Sequence, residues 1–206
     1  MKVIRIYLSG SIQKGVGDAV KKSVWTDEDI ATLRETLEGV ANLSLMNPAS
    51  RSDDLSDHVS VLGRDLLQVY ISDLILVDAR DRKGLGVGAE MQFAKDYGIP
   101  VISVSPPNSQ YRKDILEYLG QVVHDWTHPF VGGLSDYIAD SVREAAEYIR
   151  DHFPFEGGTI KDRDYLRSSM LHYVNTQFKI DTEMYSLANE DPELLNRIEL
   201  LKGGNG

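Results

Sequence analysis

Glu90 is the residue of this sequence whose surroundings point most directly to chemistry. It follows the glycine-rich segment Gly84–Gly88, which is expected to form a turn that leads into a helix over Ala89–Tyr97. A carboxylate in the first turn of a helix is stabilised in its ionised form by about 0.3–1 kcal/mol, and glycines let a ligand approach the backbone closely. Such a carboxylate suits nucleophilic or electrostatic work at a sugar carbon, whereas the alternative is an acid that only decorates a helix start.

Asp78 and Asp65 are the other carboxyl candidates. Asp78 ends the predicted strand Leu74–Asp78, and ligands of an open parallel sheet bind beyond the carboxyl ends of its strands. Asp65 lies in the middle of a predicted helix, so on position alone it is a surface residue. The segment Tyr7–Ser11 ends the first predicted strand and is expected to converge on the same crevice as Asp78 and Glu90.

Short apolar runs alternate with helical patterns along the first three quarters of the chain, which indicates βαβ units. The predicted strands are Val3–Leu8, Leu43–Met46, Leu74–Asp78, Pro100–Val104 and Gln121–Trp126. The predicted helices are Asp27–Leu37, Asp57–Ile71, Ala89–Tyr97, a short one near Arg112–Leu119, and Leu134–Phe153. The sequence therefore predicts an α/β fold with a doubly wound, five-stranded parallel sheet of the flavodoxin/Rossmann-like type, in the flavodoxin-like strand order.

The segment Pro154–Gly158 interrupts this pattern, so we expect an α/β domain over residues 1–153 and a C-terminal helical extension with a flexible tail over 154–206. One helical face of the extension is apolar and is expected to pack on the domain or on a partner subunit, and a shorter helix is predicted at Glu193–Leu201. The face consists of Tyr165, Leu166, Met170, Tyr173, Val174 and Phe178.

Gly84–Ala89 also fits the G-x-G-x-x-A pattern of nicotinamide and flavin domains. It follows the third predicted strand instead of the first, and no acid ends the next strand to hold a ribose hydroxyl, so no cofactor is expected. His124 and His128 are four residues apart across a strand end, a spacing that does not favour a metal site. The chain has no cysteine, which excludes disulfides and thiolate catalysis.

The formal net charge of −10 excludes a nucleic-acid polymer as a partner unless a strong basic patch exists, and none of adequate size is found. The net charge is compatible with binding of a small anionic ligand, because a few well-placed donors suffice for it. No apolar run reaches about 18 residues, so no membrane span is expected. The chain begins with a short apolar-rich strand without a signal-peptide pattern, which predicts a cytoplasmic location.

Four short blocks, taken together, resemble the nucleoside 2-deoxyribosyltransferase superfamily, and most closely its hydrolytic branch, the 2'-deoxynucleoside 5'-phosphate N-hydrolases. These blocks are Tyr7–Ile12, Arg64–Leu66, Ser72–Val77 and Leu85–Glu90, in the family's order and spacing. The resemblance covers about residues 3–126.

The resemblance implies that Glu90 is a nucleophile that attacks the anomeric carbon, that Asp65 is an assisting acid, and that Tyr7 positions the nucleophile or the sugar. The resemblance and the position in the crevice together give the expected substrate-binding residues, which are Ser9, Gly10, Ser11, Ile12, Gln13, Asp78, Arg82, Lys83, Gly84, Gly86 and Gly88. Gln13 and Gly84 stand where the hydrolases carry an arginine and a phosphate-binding serine. Arg80, Arg82 and Lys83 are candidates to replace them, the alternative being a solvated loop.

The function that the resemblance implies is an N-glycosidase that cleaves the base–sugar bond of a nucleoside or nucleoside 5'-monophosphate with retention, by hydrolysis or base transfer. It implies neither a metal nor a cofactor, and it implies a homodimer or higher homo-oligomer. The alternative is a non-catalytic nucleotide-binding sensor or regulatory module on the same fold.

Overall fold

The computed structural model describes residues 2–13, 22–81, 84–155 and 160–203. Its strands are β1 (Lys2–Ser9), β2 (Ile12–Gln13), β3 (Lys22–Ser23), β4 (Ala41–Met46), β5 (Leu74–Asp78), β6 (Val101–Val104), β7 (Arg112–Tyr118), β8 (Gln121–Thr127) and β9 (Tyr137–Ala139). Its helices are α1 (Asp27–Thr36), α2 (His58–Tyr70), α3 (Leu85–Asp96), α4 (Pro129–Leu134), α5 (Val142–His152), α6 (Arg163–Thr176), α7 (Thr182–Glu190) and α8 (Pro192–Gly203).

The chain forms two compact units, Met1–Lys161 and Asp162–Gly206. The boundary that the sequence predicts after residue 153 stays a prediction, because two compact units need not be two domains that fold independently. None of the helices in the described ranges is long and apolar enough to cross a membrane.

The first unit contains a five-stranded, all-parallel sheet in the order β4-β1-β5-β6-β9, which confirms the predicted doubly wound fold and its flavodoxin-like strand order. Side chains alternate across the sheet, so Ile6 and Leu8 enter a core that also contains Leu33 of α1 and Ile149 of α5. All five residues of β5 are buried, as expected of a strand covered on both faces.

The predicted helix near Arg112–Leu119 is wrong, because this segment is β7, which pairs antiparallel with β8 in a separate two-stranded sheet. The connection consists of Leu119 and Gly120, which both have positive φ values, 51° and 75°. Two such residues form the tight turn that matches the twist of a hairpin. Gln121–Trp126 is therefore a strand, but it is not a member of the parallel sheet.

The predicted long helix Leu134–Phe153 is also wrong. It is divided into the end of α4, the sheet strand β9 and the helix α5. Ser141 caps α5 by accepting a hydrogen bond from the backbone N–H of Glu144, and the Glu144 side chain accepts from the N–H of Asp140. This Ser-x-x-Glu signal could have located the helix start in the sequence.

The second unit consists of α6, α7 and α8 in the described residues. Phe178 and Ala188 are buried, whereas Met170 of the predicted apolar face is 52% exposed. The hydroxyl of Tyr173 donates to Asp181 over 2.7 Å, and Arg167 donates to the carbonyl of Leu201 over 2.6 Å.

Candidate functional site

Two hydroxyl groups at the carboxyl end of β1 donate hydrogen bonds to one carboxyl group of α3. Tyr7 and Ser9 are two residues apart in the strand, so both side chains leave the same face of the sheet. The Tyr7 hydroxyl donates to Oε1 of Glu90 over 2.9 Å, and the Ser9 hydroxyl donates to Oε2 over 2.5 Å. Both oxygens of the Glu90 carboxyl group are therefore held by fully buried residues of the sheet.

The helix that carries Glu90 begins earlier than the sequence predicts. Gly84 is the N-cap of α3 and the helix starts at Leu85, because Val87 and Met91 continue its buried stripe through the glycine segment. Glu90 is thus in the second turn, beyond the reach of most of the helix-terminal dipole. The prediction that a helix start keeps this carboxylate ionised is wrong.

Burial of Glu90 raises its pKa to about 7; the hydrogen bonds from Ser9 and Tyr7 oppose this rise, and the negative charge of Asp65 adds to it. Burial and the neighbouring Glu90 carboxylate also raise the pKa of Tyr7, so its hydroxyl keeps its proton and remains a donor. Near neutral pH the carboxyl group of Glu90 is therefore divided between a protonated and an ionised form. A group with such a pKa is suited to giving and taking protons.

Asp65 projects from α2 and is held by two arginines. Nη1 of Arg51 lies 3.3 Å from both of its oxygens, and Nη1 of Arg64 lies 3.2 Å from Oδ1. The Arg51 side chain is nearly buried and also donates to Asp53. Sequence reasoning did not identify Arg51, which lies 14 positions from Asp65 in a segment without a motif.

A cavity of about 260 Å³ lies between these elements. Its walls are formed by Gly10, Ser11, Asp65, Gly84, Gly86, Val87 and Glu90. All of these except Val87 were predicted from the sequence. The side chains of the predicted residues Ile12 and Gln13 are not described, and Arg82 and Lys83 lie outside the described residues.

Asp78 is buried at the carboxyl end of β5, where its carboxylate accepts from the backbone N–H and from Nε of Arg80. The Arg80 guanidinium also makes a two-pronged contact with Asp29, at 3.0 Å on each side, and lies 5.4 Å from the ring centre of Trp25. Burial tends to raise the pKa of Asp29, but the hydrogen bonds from Arg80 and Thr26 hold it below its usual value. Arg80 is thus engaged in ion pairs within the protein.

Gly10, directly after β1, has no space for a side chain. A Cβ atom on Gly10 would lie 2.5 Å from Cγ2 of Val24 and 3.3 Å from Nε1 of Trp25, whereas one on Gly86 would have 4.0 Å to Oε1 of Glu90. We expect Gly10→Ala to lower the free energy of unfolding by about 1–3 kcal/mol, because the added methyl group has no space. Urea unfolding measures this loss, with Gly86→Ala as the matched control. Equal stability of the two variants would contradict the close approach.

In the described ranges, no group of three or more metal-binding side chains is placed to hold an ion.

No family model and no curated protein matches the chain. Among solved structures it is similar to FerB, a flavoenzyme NAD(P)H:(acceptor) oxidoreductase from Paracoccus denitrificans, with 16% sequence identity and a TM-score of 0.31. The match covers 54% of this chain and 64% of FerB, which is less than two thirds of that protein.

The expected relationship to the nucleoside 2-deoxyribosyltransferase superfamily is therefore wrong, since no family model matches the chain. The prediction of an N-glycosidase, whether hydrolase or transferase, with Glu90 as its nucleophile is wrong with it. The alternative of a nucleotide-binding sensor finds no support in these comparisons. The blocks that carried the resemblance are short, and they lie in β1, α2, β5 and α3. These are elements of a fold that hosts many functions. A likeness as low as that to FerB transfers no activity to this chain.

Proposed function

We propose that the cavity beside Glu90 binds a small polar molecule and that Glu90 exchanges a proton with it. The observation that carries this proposal is the Glu90 carboxyl group, which lines the cavity, is hydrogen-bonded through both oxygens, and has a pKa of about 7. A general acid or base works best when its pKa is close to the operating pH.

Tyr7 and Ser9 hold the carboxyl group while the proton moves. Each hydroxyl donates to one oxygen of the ionised form, which keeps the carboxylate oriented toward the cavity after it has given up its proton. The protonated form has an O–H of its own to offer, and it donates to an acceptor atom of the bound molecule. Asp65 forms another wall of the cavity, where its arginine-held carboxylate is placed to accept a hydrogen bond from a ligand N–H or O–H.

The bound molecule in this proposal is a nucleoside or nucleotide, whose sugar hydroxyl groups would donate hydrogen bonds to the two carboxyl groups in the cavity.

We also propose a cytoplasmic location and a homodimer or larger homo-oligomer. Association is supported by exposed apolar side chains on α2 and at the end of α3, which water would otherwise surround. They are Val59, Leu62, Leu67, Tyr70 and Tyr97.

Proton counting during binding tests the proposal. The deoxyribonucleosides and their 5'-monophosphates are titrated calorimetrically at pH 7 in two buffers with different heats of ionisation. For the wild-type protein we expect uptake or release of up to about half a proton per bound ligand, because a group with a pKa near 7 is half protonated there. For the nucleosides we expect no such exchange in Glu90→Gln; a 5'-monophosphate has a phosphate with a second pKa of about 6, so for it the two proteins are expected to differ by the Glu90 contribution alone.

The exposed Glu193, changed to Gln, provides the control and is expected to behave like the wild-type protein. The same proton count in the wild-type protein and Glu90→Gln would contradict the role of Glu90. Failure of every nucleoside and nucleotide to bind would contradict the proposed ligand class.

A further inference from the structure

The outer side of α2 carries an apolar stripe of the kind that helices normally turn toward a core. Its members occupy positions i, i+3, i+4, i+7, i+8 and i+11, which share one side of a helix. They are Val59, Leu62, Gly63, Leu66, Leu67 and Tyr70, called here the α2 stripe. Val69, outside the stripe, is fully buried, whereas Val59, Leu62, Leu67 and Tyr70 are 56–66% exposed. Most of the stripe is therefore uncovered in the part of the chain that the structure describes.

The α2 stripe continues onto the end of α3 through aromatic rings. The rings of Tyr70 and Tyr97 meet edge-on with their centres 5.2 Å apart, and Tyr97 lies 4.7 Å from Phe93. Because a large side chain presents about 150–250 Å², the exposed members and Tyr97 together offer roughly 500 Å² of apolar area. A standard interface buries about 800 Å² on each partner, of which about 60% is apolar. The surface is thus large enough for a stable dimer.

The α2 stripe carries no charged side chain. Arg64 and Asp65, which interrupt the apolar sequence of α2, lie outside the stripe and pair with each other over 3.2 Å. Arg64 also donates to the carbonyl of Ser50 over 2.7 Å. Two copies of a chain with a net charge of −10 repel each other, so they approach most favourably through a face without charges. A partner selected by opposite charge would find no group on the stripe to pair with.

We propose that the α2 stripe is the contact between two copies of this chain, in which the two α2 helices cross antiparallel at Gly63. A Cβ atom on Gly63 would meet nothing within 4 Å, so the space above this backbone is open to a neighbour. Glycine at a crossing point lets two helices approach closely. A two-fold axis at Gly63 places Val59 opposite Leu67 of the partner subunit, and the same contact recurs on the other side of the axis.

This contact rests on the proposed homo-oligomer, which it makes specific, and it is independent of the proposed ligand. Asp65 projects from the same helix into the Glu90 cavity. The dimer contact and the cavity therefore lie on two sides of α2.

Sedimentation velocity of the full chain at a series of concentrations tests the contact. For Leu67→Glu we expect self-association to weaken at least about 100-fold, because each contact would bury two carboxylates without partners. Leu187→Glu is the matched control, since Leu187 is also helical and is 52% exposed, but it lies in the second unit. It is expected to associate like the wild-type protein.

Gly63→Arg tests the crossing point itself. The added side chain has open space in the single chain, so we expect an unchanged circular dichroism spectrum, but it would hold two α2 helices apart. The urea midpoint of the wild-type protein is expected to rise with protein concentration, as it does for proteins that associate in the folded state. In Gly63→Arg and Leu67→Glu it is expected to be independent of concentration.

A wild-type chain that sediments as a monomer would contradict both this contact and the proposed homo-oligomer. An oligomer that persists in Leu67→Glu and Gly63→Arg, or that Leu187→Glu weakens equally, would overturn the α2 contact and leave the homo-oligomer standing. Proton exchange by Glu90 is measured separately by calorimetry, so its failure is distinguishable from that of the contact.

Discussion

At pH 8 the variant Glu90→Gln is expected to be more stable than the wild-type protein by up to about 3 kcal/mol. Folding places the Glu90 carboxyl group where burial raises its pKa from 4.5 to about 7. Because one pKa unit corresponds to about 1.36 kcal/mol, the ionised form is disfavoured in the folded protein by roughly this amount. Glutamine resembles the protonated carboxyl group and carries no charge, so it avoids this cost.

The pH dependence gives the sign of this effect. Between about pH 4.5 and 7 the folded protein keeps the Glu90 proton while the unfolded chain has lost it, so the contribution of Glu90 to stability falls as the pH rises through this window. Above about pH 7 this contribution is constant. The advantage of Glu90→Gln should therefore be small at pH 4.5, grow through the window and level off at pH 8.

Urea unfolding of both proteins at pH 4.5, 6, 7 and 8 measures this difference, and the common contribution of all other carboxyl groups cancels in the comparison. Glu193→Gln, which changes an exposed glutamate, is expected to run parallel to the wild-type protein. A Glu90→Gln curve that also runs parallel would show that Glu90 titrates like an ordinary glutamate.

Asp136→Asn is expected to lower the free energy of unfolding by about 3–5 kcal/mol, because it removes the negative partner of a buried ammonium group. Lys95 is fully buried, and its Nζ lies 2.5 Å from Oδ2 of Asp136. The same carboxylate accepts from the backbone N–H groups of Val101 and Lys161, each over 2.6 Å. It therefore joins α3, β6 and the segment that ends the first unit.

The ion pair of Glu193 and Arg197 is the control for this prediction. Its charged atoms are also 2.5 Å apart, but both side chains are more than 70% exposed, so Glu193→Gln should leave the unfolding transition unchanged. The double variant Lys95→Met with Asp136→Asn should lose less stability than Asp136→Asn alone, since the buried charge is then absent. If Asp136→Asn lowered the free energy of unfolding only slightly, the buried ion pair would contribute no more to stability than the exposed one.

The sheet could be predicted wherever a strand is an apolar run with clear ends. Leu74–Asp78 has the same bounds in the prediction and in the structure, because both of its faces are buried. The fifth strand, Tyr137–Ala139, has only three residues, and its apolar character merges with the pattern of the helix that follows. It joins the sheet by pairing with β6, which is more than 30 residues away in the sequence. The local pattern of apolar residues gives no information about such a pairing.

The members of the candidate site could be predicted better than their chemical state. Tyr7, Ser9 and Glu90 come together because parallel strands end, and the helices after them begin, at one edge of the sheet. The raised pKa of Glu90 depends instead on burial by segments far apart in the sequence. Arg80 and Asp29 are 51 positions apart in the sequence, and no local motif predicts their contact. The chemistry inferred from short motifs failed because the same fold hosts many functions, and no family model matches the chain.

The measurement that tests the central claim most directly is the titration of the Glu90 side-chain carboxyl carbon by ¹³C NMR in the full-length protein, with Glu90→Gln used to assign the signal. We expect a midpoint near pH 7, because burial outweighs the hydrogen bonds from Ser9 and Tyr7. A midpoint at the ordinary value of 4.5 would contradict it, since Glu90 would then be fully ionised at neutral pH and would have no proton to exchange.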